Sequence, residues 1–192
     1  DEPGTFYASH VHNPFFLHGT KTYVYELWED LGGRLPDTLV VPVGNGTLLL
    51  GAWLAVNELH AHGLVDRRPA LVAVQAEAVS PLAAAFRAGA PDLAGSASPS
   101  PAPPTLAEGI AIPRPPRAAQ ILRAVRESGG TFLTVSEPQI RAAQLDLAAR
   151  GLFVESTGVA CWAAVTADPG RAAGATVVPL CGAGAKTGLA AG

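Results

Sequence analysis

Two glycines one residue apart, in Val43-Gly44-Asn45-Gly46-Thr47, separate an apolar run ending at Val43 from a second that begins at Leu48. Strand, glycine turn and helix in that order form a cradle for phosphate. Gly44 and Gly46 can take backbone angles closed to other residues and leave no Cβ between the peptide N–H groups and an anion. The first turn of a helix adds unpaired N–H donors and the positive end of its dipole, and the Thr47 hydroxyl adds one more donor. An anion held there needs no lysine. The same residues also read as a plain strand-to-helix turn, since Asn-Gly is a common turn dipeptide. A second glycine-rich turn, Cys181-Gly182-Ala183-Gly184-Ala185-Lys186-Thr187-Gly188, follows the apolar run 176–180. His10, His12 and His18 invite a metal reading, but no neighbouring cysteine or His-x-x-x-His pair supports it, so they read as loop and core histidines. Cys161 and Cys181 are too few and too far apart for a disulfide framework or a zinc-finger spacing and read as free thiols.

The elements that must position these residues follow from periodicity. Leu39 to Val43 reads as a buried parallel strand, and the run after Thr47 as a helix reaching His62-Gly63, buried in its first half. Ahead of them, residues 4 to 22 read as a short strand and an ordered loop, and about Thr20 to Leu31 as a helix with Tyr23, Leu27 and Leu31 on one face. Ala70 to Gln75 reads as a second strand. Ser80-Pro81 opens a helix that Gly89 closes, with Ser80 as N-cap. Residues 105 to 112 read as short and extended. Pro115-Pro116 leads into a helix stopped by Gly129-Gly130, and Thr131 to Val135 is a third strand. Ser136-Glu137-Pro138-Gln139 is a capping box opening a helix over 140–150. Residues 153 to 168 read as a mostly apolar helix beginning with Glu155 and Ser156, and Thr176 to Leu180 as the last strand. Strand-helix units in tandem predict an α/β fold, a parallel sheet flanked by helices in three layers. Several loops then leave the carboxyl ends of parallel strands, where open α/β sheets bind ligands.

Over 192 residues the net charge is −3, with no basic stripe, so neither nucleic acid nor anionic lipid is an implied partner. The apolar stretches are interrupted well short of a membrane-spanning length and no signal-peptide pattern opens the chain, so the cytoplasm is the default location. The Ala/Ser/Pro/Gly run at 91–104 reads as an exposed, poorly ordered insertion. Methionine is absent, even at position 1, as expected of the downstream part of something longer.

Five segments in order resemble the type II fold of pyridoxal-phosphate enzymes, the tryptophan synthase β-subunit superfamily, and within it the threonine synthase-like branch. They are Asn13-Pro14-Phe15 with Gly19-Thr20-Lys21-Thr22 and Glu26; Val40 to Gly51; Ala107-Glu108-Gly109-Ile110; Gly151-Leu152-Phe153-Val154-Glu155-Ser156; and Val177 to Lys186. The resemblance implies that residues 36–192 form the large domain, which binds the cofactor phosphate, and that 1–35 are a remnant of the small domain. Gly44, Asn45, Gly46 and Thr47 match the loop that holds the phosphate of pyridoxal 5'-phosphate. Cys181 falls where the family commonly has Ser or Thr beside the pyridine nitrogen. A neutral partner there leaves the nitrogen unprotonated and favours elimination and replacement chemistry. Cysteine is a weaker hydrogen-bond partner than either, and the bland alternative is a small buried thiol. Glu155 matches an acidic residue near the ring, or is a helix-opening glutamate stabilised by the dipole.

The family's Schiff-base lysine lies in a segment upstream of the match. The only lysines, Lys21 and Lys186, occupy neither its place nor its context, so no catalytic residue is assigned. Roughly a hundred or more upstream residues, most of one domain, are expected to be missing. The resemblance implies a lyase acting on a small amino-acid substrate, O-phosphohomoserine to threonine, as a homodimer completed by an N-terminal domain. The fragment alone is expected to be inactive. A dehydratase, ammonia-lyase or β-replacement synthase of the same superfamily stays open, as does a non-catalytic anion-binding domain. A dinucleotide-binding domain is disfavoured because position 49, where the third glycine of its fingerprint would fall, is leucine.

Overall fold

A computed structural model describes residues 3–5, 8–94, 103–171 and 174–186. Four parallel strands, β1 (Thr38–Pro42), β2 (Ala70–Ala76), β3 (Thr131–Val135) and β4 (Thr176–Val177), form one sheet in the order β3-β2-β1-β4. The two central strands, β1 and β2, are buried on both faces, and alternate residues feed two separate cores. Leu39, Val41, Leu71 and Ala73 point to one side, into a cluster with α2 (Thr22–Asp30), α3 (Thr47–Ala61), α4 (Pro81–Arg87) and α5 (Ala118–Glu127). Val40, Val72, Val74 and Val135 point to the other, against α6 (Glu137–Ala149) and α7 (Ser156–Ala167). The three-layer α/β architecture expected from the sequence is the one observed.

The capping box forms as the sequence predicts. Ser136 Oγ accepts from the Gln139 N–H at 3.4 Å and Gln139 Oε1 accepts from the Ser136 N–H at 2.8 Å. Four local expectations are corrected. The helix expected from Thr20 begins earlier and in two pieces, a short α1 (Phe16–Thr20) and α2, and no strand precedes it among the described residues; Phe6 and Tyr7 lie outside them. Ser80 stands at the N-cap, yet its hydroxyl donates to the Glu77 carbonyl at 3.2 Å and accepts nothing from the helix. Residues 108–110 form a 3-10 turn, not an extended segment. The helix expected from residue 153 starts at Ser156, because residues 153–155 pair instead with the turn after β4: Gly184 N–H donates to Phe153 O and Glu155 N–H to Gly182 O. Most of the insertion expected at 91–104 lies outside the described residues.

One residue ties the sheet together at its amino-terminal edge. Asp37 N–H donates to Ala175 O at 2.8 Å, and Asp37 Oδ2 accepts from Ala175 N–H at 2.9 Å. The starts of β1 and β4 are thereby clamped side by side.

Candidate functional site

The turn after β1 is buried at Gly44 and Gly46 and half-buried at Asn45 and Thr47. Gly46 is the N-cap of α3 with φ +79°, a backbone conformation that favours glycine, and a Cβ there would sit 2.3 Å from Ile121 Cδ1. The first helical bond runs from Leu50 N–H to Gly46 O at 2.9 Å. Among the described residues the N–H groups of 44 to 49 therefore have no acceptor in the protein. Six consecutive orphan donors at a helix N-terminus suit one kind of group, an anion with several oxygens. The donor set fits a phosphate.

Several side chains hold this turn. Gln75, fully buried on β2, donates from Nε2 to Val43 O at 3.3 Å and accepts at Oε1 from Ala83 N–H at 3.0 Å. Thr20 Oγ1 donates to Thr47 O at 3.0 Å. The sequence held a signal for that contact in Gly51, a glycine inside a helix. A Cβ there would lie 2.2 Å from Thr20 Oγ1. A buried glutamine inside an otherwise apolar strand was a signal of the same kind.

Cys181 and Glu155 come together at the adjoining strand end. β4 pairs Thr38 with Thr176 and Leu39 with Val177, and Cys181 follows four residues beyond its end. Glu155 is the N-cap of α7, and a Cβ on Gly182 would meet its carboxyl group at 2.2 Å. Gly158, one turn along α7, lets the helix backbone reach Cys181, whose carbonyl oxygen would lie 1.9 Å from a Cβ. Burial and, next, the Glu155 carboxylate push the Cys181 thiol above its ordinary pKa, so it stays protonated at neutral pH. Burial raises Cys161 further, and both cysteines are free. Tyr23 is raised by burial and then by the two thiols, and its hydroxyl is buried without a hydrogen-bond partner among the described residues.

The 3-10 turn at 108–110 links the two halves of the site. A Cβ on Gly44 would touch Gly109 O and Ile110 Cα at 3.0 Å, and Gly109 N–H donates to Thr157 Oγ1 at 3.0 Å. The sequence marked Gly109 only as part of a family segment and missed Thr157. Lys21 is committed elsewhere. Its Nζ lies 2.8 Å from Glu58 Oε2 and 5.6 Å from the Tyr25 ring centre, and the bond to Glu58 raises its pKa. The Tyr25 hydroxyl also bonds to Glu58. Among the described residues no group of three or more His, Cys, Asp or Glu side chains is placed to hold a metal ion, and no helix is long and apolar enough to cross a membrane.

Known proteins match this arrangement. The threonine synthase of Methanosarcina acetivorans is 37% identical over 149 residues, covering 77% of this chain and 36% of its own length. That of Methanocaldococcus jannaschii is 36% identical over 144 residues, covering 74% and 35%. The chain thus spans little more than a third of the length of these relatives. Among solved structures, the T.th. threonine deaminase superposes with a TM-score of 0.72 at 27% identity, over 89% of this chain and 59% of that one. A fungal L-serine ammonia-lyase from Rhizomucor miehei, at 21% identity and a TM-score of 0.70, shares the fold. The family model described as pyridoxal-phosphate dependent enzyme matches residues 1–182. With that likeness running along nearly the whole sequence, the chain belongs to the pyridoxal-phosphate dependent enzymes of the type II fold.

Proposed function

We propose that this chain is the cofactor-phosphate-binding portion of a threonine synthase-like lyase that converts O-phosphohomoserine to threonine. The observation that carries the reading is the run of acceptor-less N–H groups at 44–49. In this reading Gly44, Asn45, Gly46 and Thr47 hold the phosphate of pyridoxal 5'-phosphate through backbone donors, with the Thr47 hydroxyl as an added donor. Cys181 stands at the ring nitrogen with its proton on Sγ, a neutral and weak partner that leaves the nitrogen unprotonated. Burial, and next the charge on Glu155, keep that proton in place. When bound, the cofactor supplies an electron-withdrawing ring that stabilises negative charge on the substrate carbon. In this reading the lysine that joins the cofactor is supplied from outside this chain: neither Lys21 nor Lys186 stands at the family's position for it, and Lys21 is paired with Glu58. The substrate is a small amino acid, the assembly a homodimer, and residues 1–35 belong to a second domain that the rest of the polypeptide completes.

A dehydratase or ammonia-lyase is the second reading, favoured by the superposition on threonine deaminase. Joined to a lysine-bearing segment, the first reading expects phosphate release from O-phosphohomoserine; ammonia release from threonine or serine instead would favour the second. The assignment within this chain is tested by mixing it with pyridoxal phosphate, reducing with borohydride and mapping adducts by peptide mass. Saturable binding displaced by inorganic phosphate, with no stoichiometric adduct, is expected. One stoichiometric adduct on Lys21 or Lys186 overturns the assignment and makes the chain its own lysine donor.

A further inference from the structure

Backbone N–H donors hold an anion strongly when their directions are set before it arrives. A peptide unit is planar and trans, so the direction of an N–H is fixed by whatever holds the carbonyl on the other side of the same plane. Gly44 N–H shares its plane with Val43 O, Thr47 N–H with Gly46 O, and Leu48 N–H with Thr47 O. All three carbonyls are held. Gly46 O accepts the first helical bond, from Leu50 N–H at 2.9 Å. The other two are held by side chains. Gln75 Nε2 donates to Val43 O at 3.3 Å, and Thr20 Oγ1 donates to Thr47 O at 3.0 Å, a shorter contact than the 3.3 Å it makes with Leu17 O.

Both holds sit where the backbone most needs one. Gly44 lies between the end of β1 and the start of α3, and a residue without a Cβ leaves its peptide broad freedom to turn. Leu48 is in the first turn of α3, and helix ends fray. Gln75 is fully buried on β2 with Val74 and Ala76 beside it, and a buried amide is costly unless both of its ends are bonded. Ala83 N–H donates to its Oε1 at 3.0 Å, which leaves Nε2 for Val43 O and keeps the amide from flipping. Thr20 reaches Thr47 O because Gly51, one turn along α3, puts no side chain in its way.

We propose that Gln75 and Thr20 are positioning residues for anion binding at the glycine turn, setting the Gly44 and Leu48 N–H groups from behind through the carbonyls of Val43 and Thr47. This rests on the phosphate reading of the turn and adds to it two residues that act through the backbone. Donors set in advance lower the ordering cost of binding, and that cost returns when a hold is cut.

The test titrates inorganic phosphate into the 192-residue chain and follows amide shifts in the wild type and in Gln75→Met, Thr20→Val and Thr20→Ser. Methionine keeps the length of glutamine and valine the shape of threonine, each without the donor; serine keeps the hydroxyl. Gln75→Met and Thr20→Val should each weaken phosphate binding by about three- to tenfold, as for one lost hydrogen bond, and Thr20→Ser should bind like the wild type. The signature of positioning is local. The phosphate-induced shift is expected to fall at Gly44 in Gln75→Met and at Leu48 in Thr20→Val, each variant keeping the shift that the other loses. Thr20 is half-buried, so its two variants decide the matter even where Gln75→Met unfolds. Wild-type affinity in Thr20→Val and Gln75→Met, an equal loss of shift at every amide of the turn, or Thr20→Ser as weak as Thr20→Val overturns the proposal and leaves the phosphate reading standing. A wild type without saturable phosphate-induced shifts at 44–49 overturns that reading, and the proposal with it.

Discussion

At the scale of single residues, backbone N–H groups do most of the work at the glycine turn and side chains refine it. Thr47 is the side chain nearest to that work, at the first position of α3, with its carbonyl already held by Thr20. Thr47→Val removes the hydroxyl and keeps the shape. It should weaken binding of pyridoxal phosphate by about three- to tenfold, as expected for one lost hydrogen bond, and leave binding of unphosphorylated pyridoxal unchanged. A fluorescence titration with both compounds separates the two outcomes; equal losses would remove Thr47 from the phosphate. Glycine spacing made a tight strand-to-helix turn legible, and Gly46 takes the φ of +79° that favours glycine, but the phosphate reading needed the family resemblance beside it. Thr157 was not legible: it acts through one contact to a backbone atom distant in sequence, Gly109 N, and no local pattern encodes such a partner; Gln75 stood out as a glutamine in an apolar strand, but not its partners, Val43 O and Ala83 N.

Elements carry a different kind of information. The long strongly patterned segments were readable because burial on two faces demands continuous apolar runs and helix ends demand caps, as at Ser136 and Gln139. The short ones were not. β4 is two residues long where Thr176 to Leu180 invited a longer strand, and residues 153–155 give up helix for pairing with 182–184. Tertiary contacts decide both. Between helices, Glu58 on α3 joins Lys21 and Tyr25 at the start of α2. Lys21 and then Tyr25 lower the Glu58 pKa below 4.5, and Glu58 raises that of Lys21 above 10.5. The lowered carboxylate stabilises the fold above pH 4.5, and that contribution fades as pH falls through its folded value. The raised ammonium stabilises below pH 10.5, and its share is lost as pH rises beyond. Glu58→Gln should therefore cost about 1 kcal/mol between these limits and progressively less outside them, read by urea unfolding across pH. A pH-independent cost would point to packing.

Across the whole molecule, the two parts of the candidate site sit on adjacent strands of very unequal strength. β1 is central and pairs with β2 along its full length, whereas β4 is an edge of two residues. Asp37 adds two bonds to the short ladder that holds the start of β4. Asp37→Ala should speed hydrogen exchange at Ala175 by at least an order of magnitude while amides of β2 and β3 keep their protection, because local opening of an edge leaves the rest of the sheet intact. Uniformly faster exchange would mean that the sheet opens as one unit. The Asp37 carboxylate and the Ala175 N–H are 138 positions apart in the chain. On a ribosome adding about 5–20 residues per second, the glycine turn is made well before the partner that clamps β4 has emerged, roughly ten seconds later. In that interval β1 has an open flank, a row of unpaired backbone groups that a neighbouring nascent chain can occupy. The clasp at Asp37 thus also sets a window in synthesis during which this fold is open to misassembly, and it closes that window.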